Sequence, residues 1–382
     1  MVSMKKVSRS KKIDQKKGQK TTSKNIKGLQ KSEVSEKNVK EPSQEITFRI
    51  QRVIQGKTEM RDYKIEVGRG DTILDCLDKI RDDLDPSLSF RRNCRNTICG
   101  SCAMTINGRA RLACKEHALN LIDKETTKEN TKENAKEKII TITPMRNMPV
   151  VKDLVNDMTS FWNQYKKIKP WVDTGDKPLP EKEFLMSIEQ FQELEQSADC
   201  IMCGLCYADS NGVEAEKEFL GPAALARAYR LIADPRDAKQ EERIKAVDNK
   251  HGTWDCMHCF YCTEVCPVDV DPLAQILKIR KMAVEKGSTK TRGAMHHLTF
   301  IKSVKDSGIL NENKLPIGSI GGIFNIVGMF EITPVGFRML THGKMPSLIH
   351  HKIPKIEDVR EIFNHFKKES FKKKDDSPVN YQ

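Results

Sequence analysis

Eleven of the twelve cysteines in this 382-residue chain fall into three groups, and their spacing is that of metal-cluster ligands. The first group follows the pattern Cys-x₄-Cys-x₂-Cys-x₁₁-Cys and consists of Cys94, Cys99, Cys102 and Cys114. Soft thiolate sulfur suits iron bridged by sulfide, and the four-then-two spacing is typical of plant-type [2Fe–2S] ligands. Gly100 lets backbone N–H groups approach the sulfides. The group predicts a [2Fe–2S] cluster; a zinc knuckle, the alternative, would be expected to show two x₂ pairs.

The other two groups repeat one pattern along the chain. The later one, Cys256-x₂-Cys259-x₂-Cys262-x₃-Cys266-Pro267, is the bacterial ferredoxin run, whose last cysteine ligates the other cluster in two-cluster proteins. The earlier one begins in the same way, but its fourth position is Ser210. Pairing by pseudo-symmetry therefore predicts one complete [4Fe–4S] ligand set, formed by Cys200, Cys203, Cys206 and Cys266.

The remaining site has three thiolates, Cys256, Cys259 and Cys262, and the Ser210 position. Three thiolates suit a [3Fe–4S] cluster, which lacks the iron that a fourth ligand would hold. The competing prediction is a second [4Fe–4S] cluster whose fourth ligand is the Ser210 alkoxide, a water or a group from a partner. We favour [3Fe–4S] because an alkoxide is a harder ligand and its parent alcohol is a weaker acid than a thiol. Zinc in place of either cluster is the last alternative.

Composition and charge narrow the class of protein. Aromatic residues make up 6% and charged residues 31% of the chain, so we expect a modest core that bound metal clusters help to stabilise. Of the net charge of +13, residues 1–41 carry +9, which predicts a disordered basic tail over 1–45 and no nucleic-acid partner. The start of the sequence has no apolar signal segment, so we expect the chain to remain in a reducing compartment where its thiols stay free. Cys76, the twelfth cysteine, is predicted to be a core side chain.

The hydrophobic pattern predicts two domains of different class, an α+β arrangement. Residues 46–150 alternate as strands around a helix at 71–84, and a low-complexity insertion at 126–138 interrupts them. This pattern predicts an N-terminal β-grasp, ferredoxin-like domain for the [2Fe–2S] cluster. Residues 151–290 predict an all-α, two-cluster ferredoxin domain, with helices at Val151–Tyr165, Glu181–Ser197, Ala223–Ile232 and Pro272–Lys286.

Residues 291–382 contain no cysteine and form a C-terminal extension with a Lys-rich end. The longest uncharged apolar run in the chain is Ile317–Phe330, which is shorter than the about 18 residues that a membrane-spanning helix needs. An amphipathic helix is expected within 345–368. We therefore expect the extension to dock onto a partner or a membrane surface.

Three stretches resemble the iron–sulfur subunits of succinate dehydrogenase and fumarate reductase. They are SLSFRRNCRNTICGSCAMTINGRARLACK (87–115), ITPMRNMPVVKDLVNDM (142–158) and GPAALARAYRLIADPRD (221–237), and the resemblance extends over about 46–285. It implies a subunit that relays electrons one at a time from a flavoprotein through three clusters towards quinone. The [2Fe–2S] cluster would face the flavin and the third cluster the acceptor. The chain itself would have no catalytic residue; its Gly68-Arg69-Gly70 has Ile73 where a nucleotide-binding loop needs glycine.

The resemblance also implies partners and a location. The partners are an FAD-containing succinate dehydrogenase flavoprotein and a membrane-anchor or cysteine-rich subunit, with quinone bound at the complex. The expected location is peripheral, on the cytoplasmic face of the cell membrane, or alternatively on the matrix side of the mitochondrial inner membrane. A fumarate reductase, or a heterodisulfide-reductase-like or other dehydrogenase complex, is the alternative function.

The sequence departs from the family pattern in three places. The family usually has Cys-Pro where this chain has Ser210-Asn211, and Cys259 is an additional thiol. The family's tryptophan pair is missing from the segment 211–219, which puts the usual quinone pocket in doubt. The stretch 336–356 resembles the cysteine-run subunits of heterodisulfide-reductase-like complexes.

Overall fold

The structure is a computed structural model that describes residues 43–126, 138–176, 178–287, 290–347 and 350–375. The predicted basic tail and the predicted insertion lie almost entirely outside these residues.

The N-terminal part of the described chain is built on one mixed sheet. Its strands are β1 (Gln44–Ile54), β2 (Lys57–Val67), β3 (Ala103–Ile106), β4 (Arg109–Leu112) and β5 (Ile139–Thr143). They lie in the order β2-β1-β5-β3-β4; β1 and β5 are parallel, and the other neighbours are antiparallel. The β3–β4 hairpin turns on Asn107 and Gly108, with φ of +47° and +74°, as the Asn-Gly pair predicts. The predicted β-grasp fold is confirmed.

One helix closes the core of this sheet domain. Helix α1 (Ile73–Lys79) begins at Thr72, whose hydroxyl accepts from the Asp75 N–H while the Asp75 carboxylate accepts from the Thr72 N–H. The chain continues as a π-helical turn (Ile80–Leu84), and α2 (Ala118–Thr126) follows β4. Cys76 is buried, and burial raises the pKa of its thiol to about 12. The helix predicted at 71–84 is therefore α-helical only to Lys79, and Leu84, the last residue of the π-helical turn, is 52% exposed.

The second part of the chain is almost entirely helical, as predicted. Its helices are α3 (Thr159–Lys167), α4 (Ile188–Ala198), α5 (Leu205–Ala208), α6 (Asn211–Ala215), α7 (Pro222–Ile232), α8 (Gln240–Val247), a 3₁₀ turn (Thr253–Asp255), α9 (Tyr261–Glu264) and α10 (Pro272–Glu285). The extension adds α11 (Arg292–Ser307), α12 (Lys314–Ser319), α13 (Ile326–Thr341) and α14 (Ile356–Asp375). No helix among the described residues has both the length and the apolar character to cross a membrane.

Two of the predicted helices begin later than expected. The first half of the helix predicted at Val151–Tyr165 is instead a small hairpin of β6 (Val150–Lys152) and β7 (Val155–Asn156). The helix predicted from Glu181 begins only at Ile188, because Ser187 caps it by accepting from the Gln190 N–H.

Asp153 explains the hairpin. It lies at φ +48° in the turn between β6 and β7, and its fully buried carboxylate accepts from the N–H groups of Val53 and Ser89 at 2.7 and 2.9 Å. The same carboxylate is 3.2 Å from Nε of Arg52, itself only 1% exposed. If the chain were helical through residue 153, the Asp153 carboxylate would lose all three of these partners.

One buried core extends from the sheet through α3, α5 and α7 to α10. Polar contacts reinforce the junction: Asp209 is buried, accepts from the Ala110 N–H at 3.0 Å and pairs with Arg146 at 2.8 Å. The Asn147 amide donates to the carbonyls of Tyr207, Ala208 and Ser210. The sheet and the cysteine-bearing helices are therefore held in a fixed relation.

We expect Asp153→Ala to destabilise the chain by about 3–5 kcal/mol, because it leaves a buried Arg52 guanidinium and two backbone donors short of an acceptor. Asp62→Ala is the matched control: Asp62 pairs with Arg49 at the surface, and such pairs contribute about 1 kcal/mol or less. Urea denaturation of the full chain, followed by circular dichroism, measures both. Equal losses in the two variants would contradict the role given to Asp153.

Candidate iron–sulfur cluster sites

The first cysteine group lies in the loop between the π-helical turn and β3, with its fourth member just after β4. Cys94 is exposed, Cys99 and Cys114 are half-buried, and Cys102 is buried. The loop turns repeatedly through the left-handed region, at Arg95, Thr97 and Gly100, with φ of +57°, +57° and +67°. The four thiols that the spacing selects therefore lie on a single compact loop and the strand end beside it.

Backbone N–H groups of this loop point at the sulfur atoms. Cys94 Sγ accepts from the N–H groups of Asn96 and Cys99, both at 3.3 Å. Cys99 Sγ accepts from those of Cys94 and Ser101, and Cys102 Sγ from that of Cys114, all at 3.5 Å. Donors aimed at sulfur stabilise negative charge there, which is what a cluster of iron, sulfide and four thiolates requires. The residues therefore fit the predicted [2Fe–2S] group.

The thiols of this loop differ in acidity. Burial opposes ionisation of Cys99, but hydrogen bonds from Ser101 and Cys94 outweigh it and lower its pKa to about 6. Burial raises the pKa of Cys102 to about 12. The hydrogen bonds at Cys99 therefore favour the thiolate that a metal ligand must be, whereas the burial of Cys102 opposes it.

The two later cysteine runs have the same backbone shape. In the first, Met202 and Gly204 have φ of +55° and +83°; in the second, His258 and Phe260 have φ of +56° and +65°. Each pair of left-handed residues leads into a short helix, α5 or α9, whose first turn carries the third cysteine, Cys206 or Cys262. The pseudo-symmetry predicted from the spacing is thus present in the backbone, and α5 packs against α9.

Four cysteines line one small cavity between these runs: Cys200, Cys203, Cys206 and Cys266. Its other walls include Ala223, Ala226, Val270 and Pro272. Burial raises the pKa of Cys206 well above its usual value, and the charges of neighbouring cysteines, Cys266 among them, raise it further. The structure therefore places Cys266 beside the three cysteines of the first run. This is where the sequence pattern predicts it, because the cysteine before proline ligates the other cluster in two-cluster proteins.

The second run holds the other three thiols together. Burial raises the pKa of Cys262 to about 12, and the charges of Cys256 and Cys259 contribute to the shift. The charge of Cys262 in turn reaches Cys206, so the two sites are neighbours. Over the described ranges, His, Cys, Asp and Glu form no group of three or more that could hold a single metal ion.

Ser210 lies where the first run would have its fourth cysteine. Its side chain is buried, and its hydroxyl accepts from the Val213 N–H at 3.3 Å as the N-cap of α6. Cys266, its counterpart, accepts from the Val270 N–H at the same distance. The serine hydroxyl therefore serves to stabilise the start of a helix.

Comparison with known proteins identifies the family. Residues 47–163 match the family described as 2Fe-2S iron-sulfur cluster binding domain, and residues 196–270 match the 4Fe-4S dicluster domain. The succinate dehydrogenase [ubiquinone] iron-sulfur subunit 1 of Oryza sativa subsp. japonica is 38% identical over 60% of this chain and 77% of its own. The corresponding Candida glabrata subunit is 37% identical over 59% of this chain and 84% of its own. The chain belongs to the succinate dehydrogenase iron–sulfur subunits.

A solved structure agrees with this assignment. The Mycobacterium smegmatis Sdh1 complex in the apo form contains a chain that aligns with a TM-score of 0.55 and 27% identity, covering 64% of this chain and 98% of its own. The predicted family, α+β fold class, 2Fe-2S and 4Fe-4S centres and electron-transfer role in succinate dehydrogenase are thereby confirmed. The matched family segments end at residue 270, so the predictions for 291–382 remain predictions.

The sequence did not single out Arg280 of this iron–sulfur subunit. Arg280 is 5% exposed, and its guanidinium donates to the carbonyls of Thr253 and Cys256 at 2.7–3.0 Å. The guanidinium also contacts the His258 ring and lies over the ring of Trp254. Burial, and then the Arg280 charge, lower the pKa of His258. The signal in the sequence was the place of Arg280 within the helix predicted at Pro272–Lys286, four residues after Ile276.

Gly100 joins the first two sites of the iron–sulfur subunit. A Cβ placed on it would lie 2.6 Å from Cβ and 2.8 Å from Cα of Cys203. The loop of the [2Fe–2S] group therefore touches the backbone of the next cysteine run, and only a glycine permits this approach. A cavity of about 130 Å³ beside the contact is lined from both sides, by residues that include Cys99 and Cys203.

We expect Gly100→Ala to lower the iron bound at both of these sites, because its methyl group must push the Cys203 backbone away. Gly108→Ala is the matched control: its φ of +74° imposes the same backbone strain of about 1–2 kcal/mol, but nothing lies within 4 Å of the added Cβ. Iron per chain and the visible absorption of the purified protein measure the effect. Similar iron losses in both variants would show that strain, and not the contact, is responsible.

Proposed function

We propose that this subunit relays electrons through three clusters held by its eleven grouped cysteines. The [2Fe–2S] cluster would be held by Cys94, Cys99, Cys102 and Cys114, the [4Fe–4S] cluster by Cys200, Cys203, Cys206 and Cys266, and the third cluster by Cys256, Cys259 and Cys262. The observation that carries the proposal is the cavity lined by the four middle cysteines. One wall of it, Cys203, touches the first loop, and Cys206 neighbours the last run.

Electrons would enter at the [2Fe–2S] loop from an FAD-containing flavoprotein. This loop has the most exposed of the grouped cysteines, Cys94, and beside it Ile98 is 63% exposed. The guanidinium groups of Arg92 and Arg95 are partly exposed and are held by Asp78 beneath them. An exposed apolar side chain within a rim of held arginines suits protein docking, and a redox partner must approach a cluster closely.

The third cluster is proposed to be [3Fe–4S]. The Ser210 hydroxyl caps α6 by accepting from the Val213 N–H. If the hydroxyl ligated iron instead, this N–H at the start of the helix would lose its acceptor. The three thiols of the last run stand without a fourth cysteine among the described residues, since Cys266 lies with the first run. The buried positive charge of Arg280 next to Cys256 favours the more negative, reduced state of a cluster held there.

Electrons would leave the third cluster for a quinone at the complex, and succinate oxidation is the proposed direction. The rice and Candida relatives carry ubiquinone in their names. The family's membership of a membrane complex supports a membrane-anchor or cysteine-rich partner subunit and a peripheral position on a membrane. The segment 211–219 forms α6 and its end, without tryptophan, so we propose that another part of the complex completes the quinone site.

Purification of the native complex through this subunit tests the function. We expect a flavoprotein to copurify and the preparation to reduce an artificial dye with succinate in a malonate-sensitive manner. A flavoprotein partner without succinate-dependent dye reduction would place the subunit in another dehydrogenase. Cys94→Ser in the same complex should abolish electron delivery to the later clusters while leaving the flavin reducible by succinate.

Cys266→Ser tests how the cysteines are divided. In the unaltered protein we expect about nine iron atoms per chain and the near-isotropic EPR signal of an oxidised [3Fe–4S] cluster. The variant should lose the [4Fe–4S] cluster and keep this signal, because Cys266 lines the cavity of the first run. Cys76→Ser, a change at a buried thiol outside the three groups, is the control and should keep all clusters.

Two outcomes would contradict this assignment. Loss of the near-isotropic signal alone in Cys266→Ser would mean that this cysteine ligates the third cluster. About ten iron atoms and no such signal in the unaltered protein would mean that the third cluster is a second [4Fe–4S].

A further inference from the structure

Helix α13 presents an apolar face to its surroundings. Phe324, just before the helix, is 91% exposed, and Ile326, Phe330 and Phe337 are 69%, 74% and 66% exposed. The three helical residues follow one another at i, i+4 and i+11, so they lie on one side. No other stretch of the described chain exposes so many large apolar side chains within so few residues.

The opposite side of α13 is packed. Gly328 is buried, and a Cβ placed on it would lie 2.7 Å from Cβ of Ile320, so the helix approaches the end of α12 closely. Glu331 forms an ion pair with Arg292 at the start of α11. The helix is therefore fixed to the rest of the extension through one side, and its exposed phenylalanines belong to the other.

The charged residues on α13 and just after it are mostly basic. Arg338 lies on the helix and Lys344 follows it, and Glu331, the one acidic residue from 326 to 344, pairs with Arg292. Residues 42–290 carry a net charge of −1, whereas 291–382 carry fourteen Lys and Arg against nine Asp and Glu. The net positive charge therefore belongs to the extension that contains α13 and not to residues 42–290.

We propose that α13, with Phe324, lies in the surface of an anionic lipid bilayer. A helix of 16 residues is about 24 Å long, shorter than the about 30 Å of a hydrocarbon core, so it cannot cross and must lie along the surface. Phenylalanines on one side and basic residues nearby are the features of interfacial helices, which bind through buried apolar area and attraction to anionic headgroups. The proposed function requires partner subunits at the membrane; here the iron–sulfur subunit adds a contact of its own.

The position of the extension gives this contact a consequence, which rests on the proposed function. Gly293 of α11 packs against Trp254, and His297 contacts the same ring at 5.8 Å between centroids. Trp254 precedes Cys256 by two residues and lies against Arg280. A membrane contact made by the extension therefore holds the third cluster on the membrane side of the subunit.

Sedimentation with vesicles tests the proposal, using the full-length, cluster-loaded protein. We expect it to bind vesicles of phosphatidylcholine and phosphatidylglycerol in a 3:1 ratio, and to bind pure phosphatidylcholine at least tenfold more weakly. Phe324→Ser/Phe330→Ser should weaken binding to the anionic vesicles at least tenfold. Arg338→Glu/Lys344→Glu should weaken it severalfold and reduce its dependence on salt.

A matched control removes two exposed apolar side chains elsewhere. Leu185 and Phe191 are 79% and 50% exposed near the start of α4, and Leu185→Ser/Phe191→Ser should bind within twofold of the unaltered protein. Visible absorption verifies that each variant retains its clusters. Vesicle binding needs no succinate turnover, so its failure is distinguishable from a failure of the proposed function.

Three outcomes would overturn the proposal. One is binding of the Phe324/Phe330 variant as tight as that of the unaltered protein. Another is that the unaltered protein binds no vesicles but forms a dimer, and that the Phe324→Ser/Phe330→Ser variant is monomeric. This result would make the face an interface between copies of the chain. The last is that the purified complex of the Phe324→Ser/Phe330→Ser variant lacks a partner subunit while its binding to vesicles is unchanged. This result would make the face a docking site for that partner subunit.

Discussion

The approach of the Gly100 backbone to Cys203 is the constraint on which the arrangement of the clusters depends. Two cysteine-bearing loops of different origin, one from a β-grasp domain and one from a helical domain, meet at a distance that excludes any Cβ. The junction beside it is correspondingly rigid, because buried Asp209 ties β4 to the end of α5 and Asn147 binds three carbonyls there. An electron carrier needs such rigidity, since its cofactors must keep their separation while their charge changes.

Local rules predicted the parts of the chain in which neighbouring residues decide the outcome. The Asn107-Gly108 turn and the helix predicted at Ala223–Ile232, which begins one residue earlier at Pro222, follow from residues within a few positions of one another. Spacing also predicted how the seven later cysteines divide between two clusters; the structure places Cys266 at the cavity of the first run, and the division itself stays a prediction. The two runs share paired left-handed residues, which in the second run are His258 and Phe260 and not glycine.

Long-range contacts decided the places where prediction failed. The segment after Val150 has a helical hydrophobic pattern, yet Asp153 turns it into a hairpin by binding Arg52 and two backbone N–H groups about 64 and 100 positions earlier in the chain. Arg280 likewise becomes important only when α10 packs against the turn before Cys256. Spacing can select ligands, but it cannot show which charge will be buried next to them.

The distribution of charge and apolar surface gives the chain two different ends. At one end an exposed cysteine lies within a rim of arginines held by Asp78, and hydrogen bonds from Ser101 and Cys94 lower the pKa of the neighbouring Cys99 thiol. At the other end the third group of thiols is more buried, has Arg280 beside it, and adjoins an extension that carries most of the exposed phenylalanines. The first environment suits transient contact with a charged protein surface, and the second suits a lasting contact with lipid. The two environments therefore differ in the way that the proposed electron entry from a protein partner and the proposed contact with a membrane require.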